Sequence, residues 1–177
     1  MGCGKSSVGR RLSALLSCSY ADLDDVIESA AGRPIPEIFA SDGEAAFRAM
    51  EKETLHDIIS RQALPPDGSR EHMIISLGGG TVITPECAEI IHNQTLCIYL
   101  RASVDTLASH LEGGSDGRPM LATACDEGMS PSEALRKRIE GLMALRSSTY
   151  EKTAHIIIDT DGKSIDRIAE EILSSIS

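Results

Sequence analysis

Tryptophan is absent from this chain of 177 residues, and it holds only three tyrosines and two phenylalanines. A core must therefore be built from Ile, Leu, Val, Met and Ala. Basic residues are scarce too: 17 Lys and Arg stand against 27 Asp and Glu, a formal charge of -10. That field repels polyanions. It excludes a general nucleic-acid or anionic-membrane binder but leaves room for a small anion held by a few local cations. No apolar run approaches the roughly 20 residues that span a bilayer, and no signal-peptide pattern opens the chain. The five cysteines (Cys3, Cys18, Cys87, Cys97, Cys125) are an odd set without a close pair. They read as reduced thiols of a cytoplasmic protein, not as a disulfide frame or zinc site. Repeats and low-complexity tracts are lacking, and the length suits one domain, 1–177.

What is present is an alternation of short apolar runs with segments of helical period, the pattern of parallel strands joined by crossover helices. β-branched content predicts strands over 73–76, 95–100 and 155–159, with a weaker one over 18–22. Helices are predicted over 6–16, 25–31, 44–61, 85–92, 104–111, 131–152 and 165–175. Gly32-Arg33-Pro34 breaks the second of these. The polar segment 112–128 carries four glycines and reads as a lid, since long irregular segments in compact domains are often mobile.

The chemistry begins at Gly2-Cys3-Gly4-Lys5-Ser6-Ser7. Gly-x-Gly-Lys-Ser is the end of a Walker A phosphate loop. Its glycines let backbone N–H groups turn inward as an anion nest, and the helix that follows points its positive end at the same place. Lys5 would neutralise the β- and γ-phosphates of ATP, and the Ser6 hydroxyl would ligate Mg²⁺. The first glycine of the full motif would lie two residues before Met1, and no strand feeds the loop. The expectation is that the functional protein carries roughly ten more residues, a strand plus the start of the loop.

Further stretches resemble, in order, the shikimate kinase family. They are Tyr20-Ala21-Asp22-Leu23-Asp24, the segment Gly43-Glu44-Ala45-Ala46-Phe47-Arg48-Ala49-Met50-Glu51, Ser76-Leu77-Gly78-Gly79-Gly80-Thr81, Arg118-Pro119-Met120-Leu121, and Leu142-Met143-Ala144-Leu145-Arg146 with Tyr150 after it. The resemblance implies an α/β P-loop kinase fold: a parallel sheet of family order 2-3-1-4-5 with strand 1 missing here, a substrate segment at about 23–55, and a lid at about 112–128. It implies transfer of a phosphoryl group from ATP to shikimate by a monomer. Asp24 would bind a substrate hydroxyl and accept its proton, and Asp22 would lie near the Mg²⁺. Arg48, Gly79 and Arg146 would hold the substrate, and Arg118 would reach the phosphates from the lid. An adenine-stacking arginine common in the family is replaced by Ser109-His110-Leu111, and Lys163 is a further candidate for an adenine contact.

The residues themselves support some of these roles more than others. Arg146 falls within the apolar stripe of Leu135, Ile139, Leu142, Met143 and Tyr150. An inward charge is costly unless it meets an opposite one, either a ligand carboxylate or a protein acid. Arg48 stands at the edge of its own stripe with Glu51 one turn on, which suits a carboxylate fork and equally a surface ion pair. Asp24 and Asp25 could cap a helix, Gly78-Gly79-Gly80 could be a plain turn, and Arg118 could pair with Asp116. Two other readings remain: another small-molecule P-loop kinase acting on gluconate or a nucleoside monophosphate, or an inactive nucleotide-binding fragment.

Overall fold

The computed structural model describes residues 2–63, 72–112 and 130–176. The lid segment and Arg118 lie outside the described residues. The chain order is α1 (Lys5–Leu16), β1 (Ser19–Asp22), α2 (Leu23–Ala31), α3 (Ile35–Ser41), α4 (Gly43–Ala63), β2 (Met73–Ser76), a 3₁₀ turn (Thr81–Ile83), α5 (Pro85–Gln94), β3 (Ile98–Arg101), α6 (Val104–Leu111), α7 (Pro131–Thr153), β4 (Ile156–Asp159) and α8 (Ile165–Ile176). No described helix is long and apolar enough to cross a membrane.

All strand pairing among the described residues is parallel. β1 pairs with β2 in the register Ser19 to Met73, and β3 with β4 in the register Ile98 to Ile156. β2 and β3 do not pair with each other. Between them runs a mainly apolar cavity of about 1010 Å³, walled by Ile74 and Ile98 from the strands, Val8 from α1 and Ile172 from α8.

Several boundaries differ from the sequence reading, each for a local reason. The strand expected over 95–100 starts at Ile98, because Thr95 closes α5 instead: both its N–H and its hydroxyl donate to Ile91 O. Strand 18–22 starts at Ser19, because Ser17 adopts a left-handed conformation (φ 52°) and the Cys18 N–H returns to Ser13 O. The helix expected over 25–31 begins at Leu23, capped by Asp22, whose carboxylate accepts the Asp24 N–H. Helix α3 was not expected. Its Pro36 lies in the first turn, where a missing N–H costs nothing. Helix α7 opens on a reciprocal cap: Ser130 Oγ accepts the Glu133 N–H while the Glu133 carboxylate accepts the Ser130 N–H. The Ser130 hydroxyl, which also donates to the Glu133 carboxylate at 2.7 Å, and the Ser130 N–H hold the Glu133 carboxyl below the usual range.

The core is aliphatic, as composition requires. One cluster centres on Leu23, Ile27, Ile38, Leu55 and Ile91, with Phe47 its buried aromatic. A second joins α6 to α7 through Leu107, Leu111, Ile139 and Leu142. A third packs α1 on α8 and β4 through Val8, Leu12, Ile158 and Ile172.

One tight approach gives a stability prediction. A Cβ on Gly9 would fall 2.7 Å from Tyr20 Cε2. The ring is held there by its hydroxyl, which donates to Asp22 Oδ2 at 3.3 Å, and by the Arg10 guanidinium 5.4 Å from its centroid. Gly141 in α7 has open space around it. Gly141→Ala is expected to stabilise by up to about 1 kcal/mol, the helix preference for alanine. Gly9→Ala is expected to destabilise by about 1–2 kcal/mol, since overpacking outweighs that preference. Thermal melts of the two variants check this, and a Gly9→Ala protein as stable as the parent would contradict it.

Candidate active site

The first turn of α1 forms an anion cradle. Gly2 (φ 68°) and Gly4 (φ 79°) are both left-handed, a conformation that side chains resist, and they bracket Cys3. The Val8 N–H closes back on Gly4 O, so the amides of the first turn are left without helical acceptors and point outward along the axis. Lys5 and Ser6 begin the helix, and Ser7 is exposed beside them. Gly2 is wedged against α6: a Cβ there would meet Leu111 Cγ at 3.1 Å. The Gly2 carbonyl also faces His110 Nδ1 at 2.8 Å, so that nitrogen carries the proton and donates.

Asp22 ends β1 where α1 begins to face it. Ser6 Oγ donates to Asp22 Oδ2 at 2.8 Å. These two hard oxygen donors, adjacent to a phosphate cradle, suit Mg²⁺, which takes one or two protein ligands and fills its shell with phosphate and water. Ser76, the strand partner of Asp22, buries a hydroxyl that has no partner among the described residues.

Asp24 does not share a strand with Asp22. β1 has ended, and Asp24 lies in the first turn of α2, so both carboxylates reach the same end of the sheet. Asp24 Oδ1 lies 3.0 Å from the Cβ position of Gly78, so a side chain there would press the carboxylate out of place. Burial pushes the Asp24 carboxyl above its ordinary pKa. The Lys5 ammonium pulls it down, and Asp22, Glu51 and Asp25 add to the rise.

Arg48 and Arg146 border neighbouring glycines. The Arg48 guanidinium fills the space a Gly80 side chain would need, with Nη2 2.6 Å from that Cβ position. It donates to Glu51 Oε2 at 2.7 Å and Glu44 Oε1 at 3.3 Å. Burial disfavours its charge, but the two acids more than offset this, and its pKa stands above the ordinary arginine value. Arg146 donates weakly to Gly79 O, at 3.3 Å, and among the described residues it pairs with no carboxylate. Glycines 78–80 have no positive φ, so they serve by being small: Asp24 and Arg48 press on the backbone directly.

Lys163 stands apart from this cluster. Its ammonium is held by Glu171 Oε2 at 2.6 Å, at the edge of a shallow hollow that it shares with Ser109 and His110.

The sequence reading stops short at three participants. It takes Glu51 as a partner that pairs with Arg48 and fixes its direction, with no burial or further contact expected. Glu51 is 1% exposed and also accepts from Thr81 Oγ1 at 2.6 Å. Its position one turn from both Phe47 and Leu55, on the buried face, was the available signal. Tyr150 donates to Gly79 O at 2.5 Å. Neither that bond nor the His110 contact leaves any pattern in the chain.

Comparison with known proteins is consistent along the whole length. The shikimate kinase family model matches residues 1–177. The shikimate kinase of Chlorobaculum parvum is 38% identical over 175 residues, covering 99% of this chain and 87% of that protein. That of Thermus thermophilus is 34% identical over 176 residues, covering 99% and 85%. Among solved structures, shikimate kinase from Acinetobacter baumannii in complex with shikimate superposes with a TM-score of 0.84 at 28% identity, over 99% of this chain and 88% of that one. The enzyme from Bacteroides thetaiotaomicron does so with a TM-score of 0.82 at 25% identity, over 99% and 93%. Matched by the family model from end to end and at 38% identity by a shikimate kinase that it covers to 87%, the chain belongs to the shikimate kinase family.

Proposed function

We propose that the protein phosphorylates shikimate from ATP, giving shikimate 3-phosphate and ADP. The observation that carries this reading is the position of Asp24: it feels the Lys5 ammonium on one side and touches the Gly78–Gly80 loop, with its two arginines, on the other. A phosphate donor and a carboxylate-bearing acceptor would meet at that carboxylate.

Gly2, Cys3, Gly4, Ser6 and Ser7 cradle the phosphates with backbone and hydroxyl donors, and Lys5 neutralises their charge. Ser6 and Asp22 would hold Mg²⁺, which would offset negative charge on the transferring group. Arg48 and Arg146 grip the acceptor's carboxylate at Gly79, because planar guanidinium groups suit carboxylates. Asp24 orients the acceptor hydroxyl and takes its proton as the oxygen bonds to the γ-phosphorus and the bond to the β-phosphate oxygen breaks. Arg118, in the lid at about 112–128, adds positive charge to the transferring group and closes the site to water. Lys163 is assigned to the adenine side. The same reading takes 1–177 as a single domain with its acceptor segment at about 23–55, working as a cytoplasmic monomer.

The test is ADP release by the purified protein with Mg²⁺-ATP and, separately, shikimate, gluconate or a nucleoside monophosphate. ADP release with shikimate alone is expected. Release only with gluconate or the nucleotide overturns the substrate, and no release with any of the three overturns the enzyme.

A further inference from the structure

Gly79 offers one carbonyl to two donors on α7. Tyr150 Oη donates to it at 2.5 Å, and Arg146 Nη1, one turn earlier, at 3.3 Å. The short bond belongs to the phenol, and the long one, to the arginine, is near the limit of a hydrogen bond. The Tyr150 ring is fixed independently, packed on Tyr99 of β3 with centroids 5.3 Å apart and planes at 51°. It also packs against the first core cluster. The tyrosine is therefore anchored by its ring and reaches the glycine loop with its hydroxyl alone.

We propose that Tyr150 is a positioning residue of the acceptor site, whose phenol occupies the Gly79 carbonyl and so keeps the Arg146 guanidinium available to the substrate's carboxylate. This rests on the reading that Arg146 binds that carboxylate. A half-buried carbonyl demands a donor. If the phenol is removed, Arg146 is the other side chain among the described residues that donates to that carbonyl. An arginine committed to the carbonyl must break that bond when substrate arrives and leave the oxygen unpaired, a penalty that binding would have to absorb. With the phenol in place, the carbonyl stays paired when Arg146 turns to substrate, and Arg146 gives up its long contact to that oxygen and its interaction with the phenol oxygen. The phenol remains a donor at neutral pH, because burial raises its pKa against the opposing pull of Arg146. The planar peptide adds a second effect. Holding the Gly79 oxygen toward α7 turns the Gly80 N–H of the same unit the opposite way.

Tyr150→Phe keeps the ring and its packing and deletes the one bond. The expected result is an increase in shikimate KM of about tenfold, with kcat within about twofold, ATP KM unchanged and Tm near that of the parent. Calorimetric shikimate binding should weaken by the same factor. Because the phenol acts through Arg146, Tyr150→Phe should add little to the loss already caused by Arg146→Ala. Parental shikimate affinity in Tyr150→Phe, with Arg146→Ala impaired, overturns the proposal alone. An equal loss in both backgrounds also overturns it, since the tyrosine would then act independently of Arg146. Unchanged affinity in Arg146→Ala overturns the clamp and the proposal together.

Discussion

Asp24→Asn is expected to lower kcat by roughly 10²–10⁴-fold, the usual contribution of a positioned general base, while raising the Tm of the ligand-free protein. The two effects have one cause. Burial raises the Asp24 carboxyl pKa, and the opposing Lys5 ammonium does not cancel the rise. A carboxyl whose pKa is higher folded than unfolded favours the fold below its unfolded pKa. That contribution is lost as pH rises through the folded pKa. At neutral pH the ionised Asp24 is therefore a burden on stability, and a neutral amide of the same shape relieves it. The Tm gain of Asp24→Asn should shrink as pH falls toward the ordinary aspartate range, where the parent protonates as well. The acid limb of the parent's kcat profile should lie above that range, because the base must be ionised. Steady-state kinetics and thermal melts across pH test both halves. A variant that turns over like the parent, or that melts lower at pH 7, contradicts the assignment.

Glu51→Ala is expected to destabilise the protein by about 3–5 kcal/mol, the usual result of removing one partner from a buried ion pair. Glu51 is 1% exposed and Thr81 is 0% exposed. The carboxylate joins them at 2.6 Å and holds Arg48 at 2.7 Å. Alanine would leave a buried hydroxyl unpaired and the Arg48 charge with only Glu44, itself largely exposed. For a chain of this size that is a drop in Tm of roughly 6–20 °C. Shikimate KM should rise as well, since Glu51 sets the direction of Arg48 against Gly80. Glu51→Gln keeps an acceptor for Thr81 and should lie between alanine and parent. Denaturant unfolding measures the first effect, and a loss under about 1 kcal/mol for the alanine variant would show that the buried network contributes little.

Stability and function pull in opposite directions at Asp24 and in the same direction at Glu51. Asp24 is kept charged against its surroundings, and replacing it is predicted to relax the fold. Glu51 is matched by a hydroxyl and a guanidinium, and replacing it is predicted to loosen the fold. Both lie within the wall that faces Gly78–Gly80, so a charge that strains the molecule stands beside one that braces it. Strain confined to the group that must take a proton is the pattern expected of a catalytic acid–base site.

The reach of the sequence follows from the range of the forces involved. The phosphate loop was legible because its demands are local: left-handed glycines, a lysine and a serine at fixed spacing, and a helix behind them. The aliphatic core and the α/β alternation were legible from composition and period. Helix α3 was not, because Pro36 in its first turn reads as a breaker unless the helix start is already known. Thr95 looked like strand because it is β-branched, yet its hydroxyl found a helix carbonyl instead.

The sequence alone determined the family, the order of the motifs and the residue types at the site, since these depend on spacings within single segments. Tertiary structure decided the pairings. Ser6 meets Asp22, Thr81 meets Glu51, and Tyr150 meets Gly79, across 16, 30 and 71 residues respectively. No periodicity links such positions. They come together only where the ends of strands and helices converge, and burial there, more than residue type, determines which charge is strained and which is satisfied.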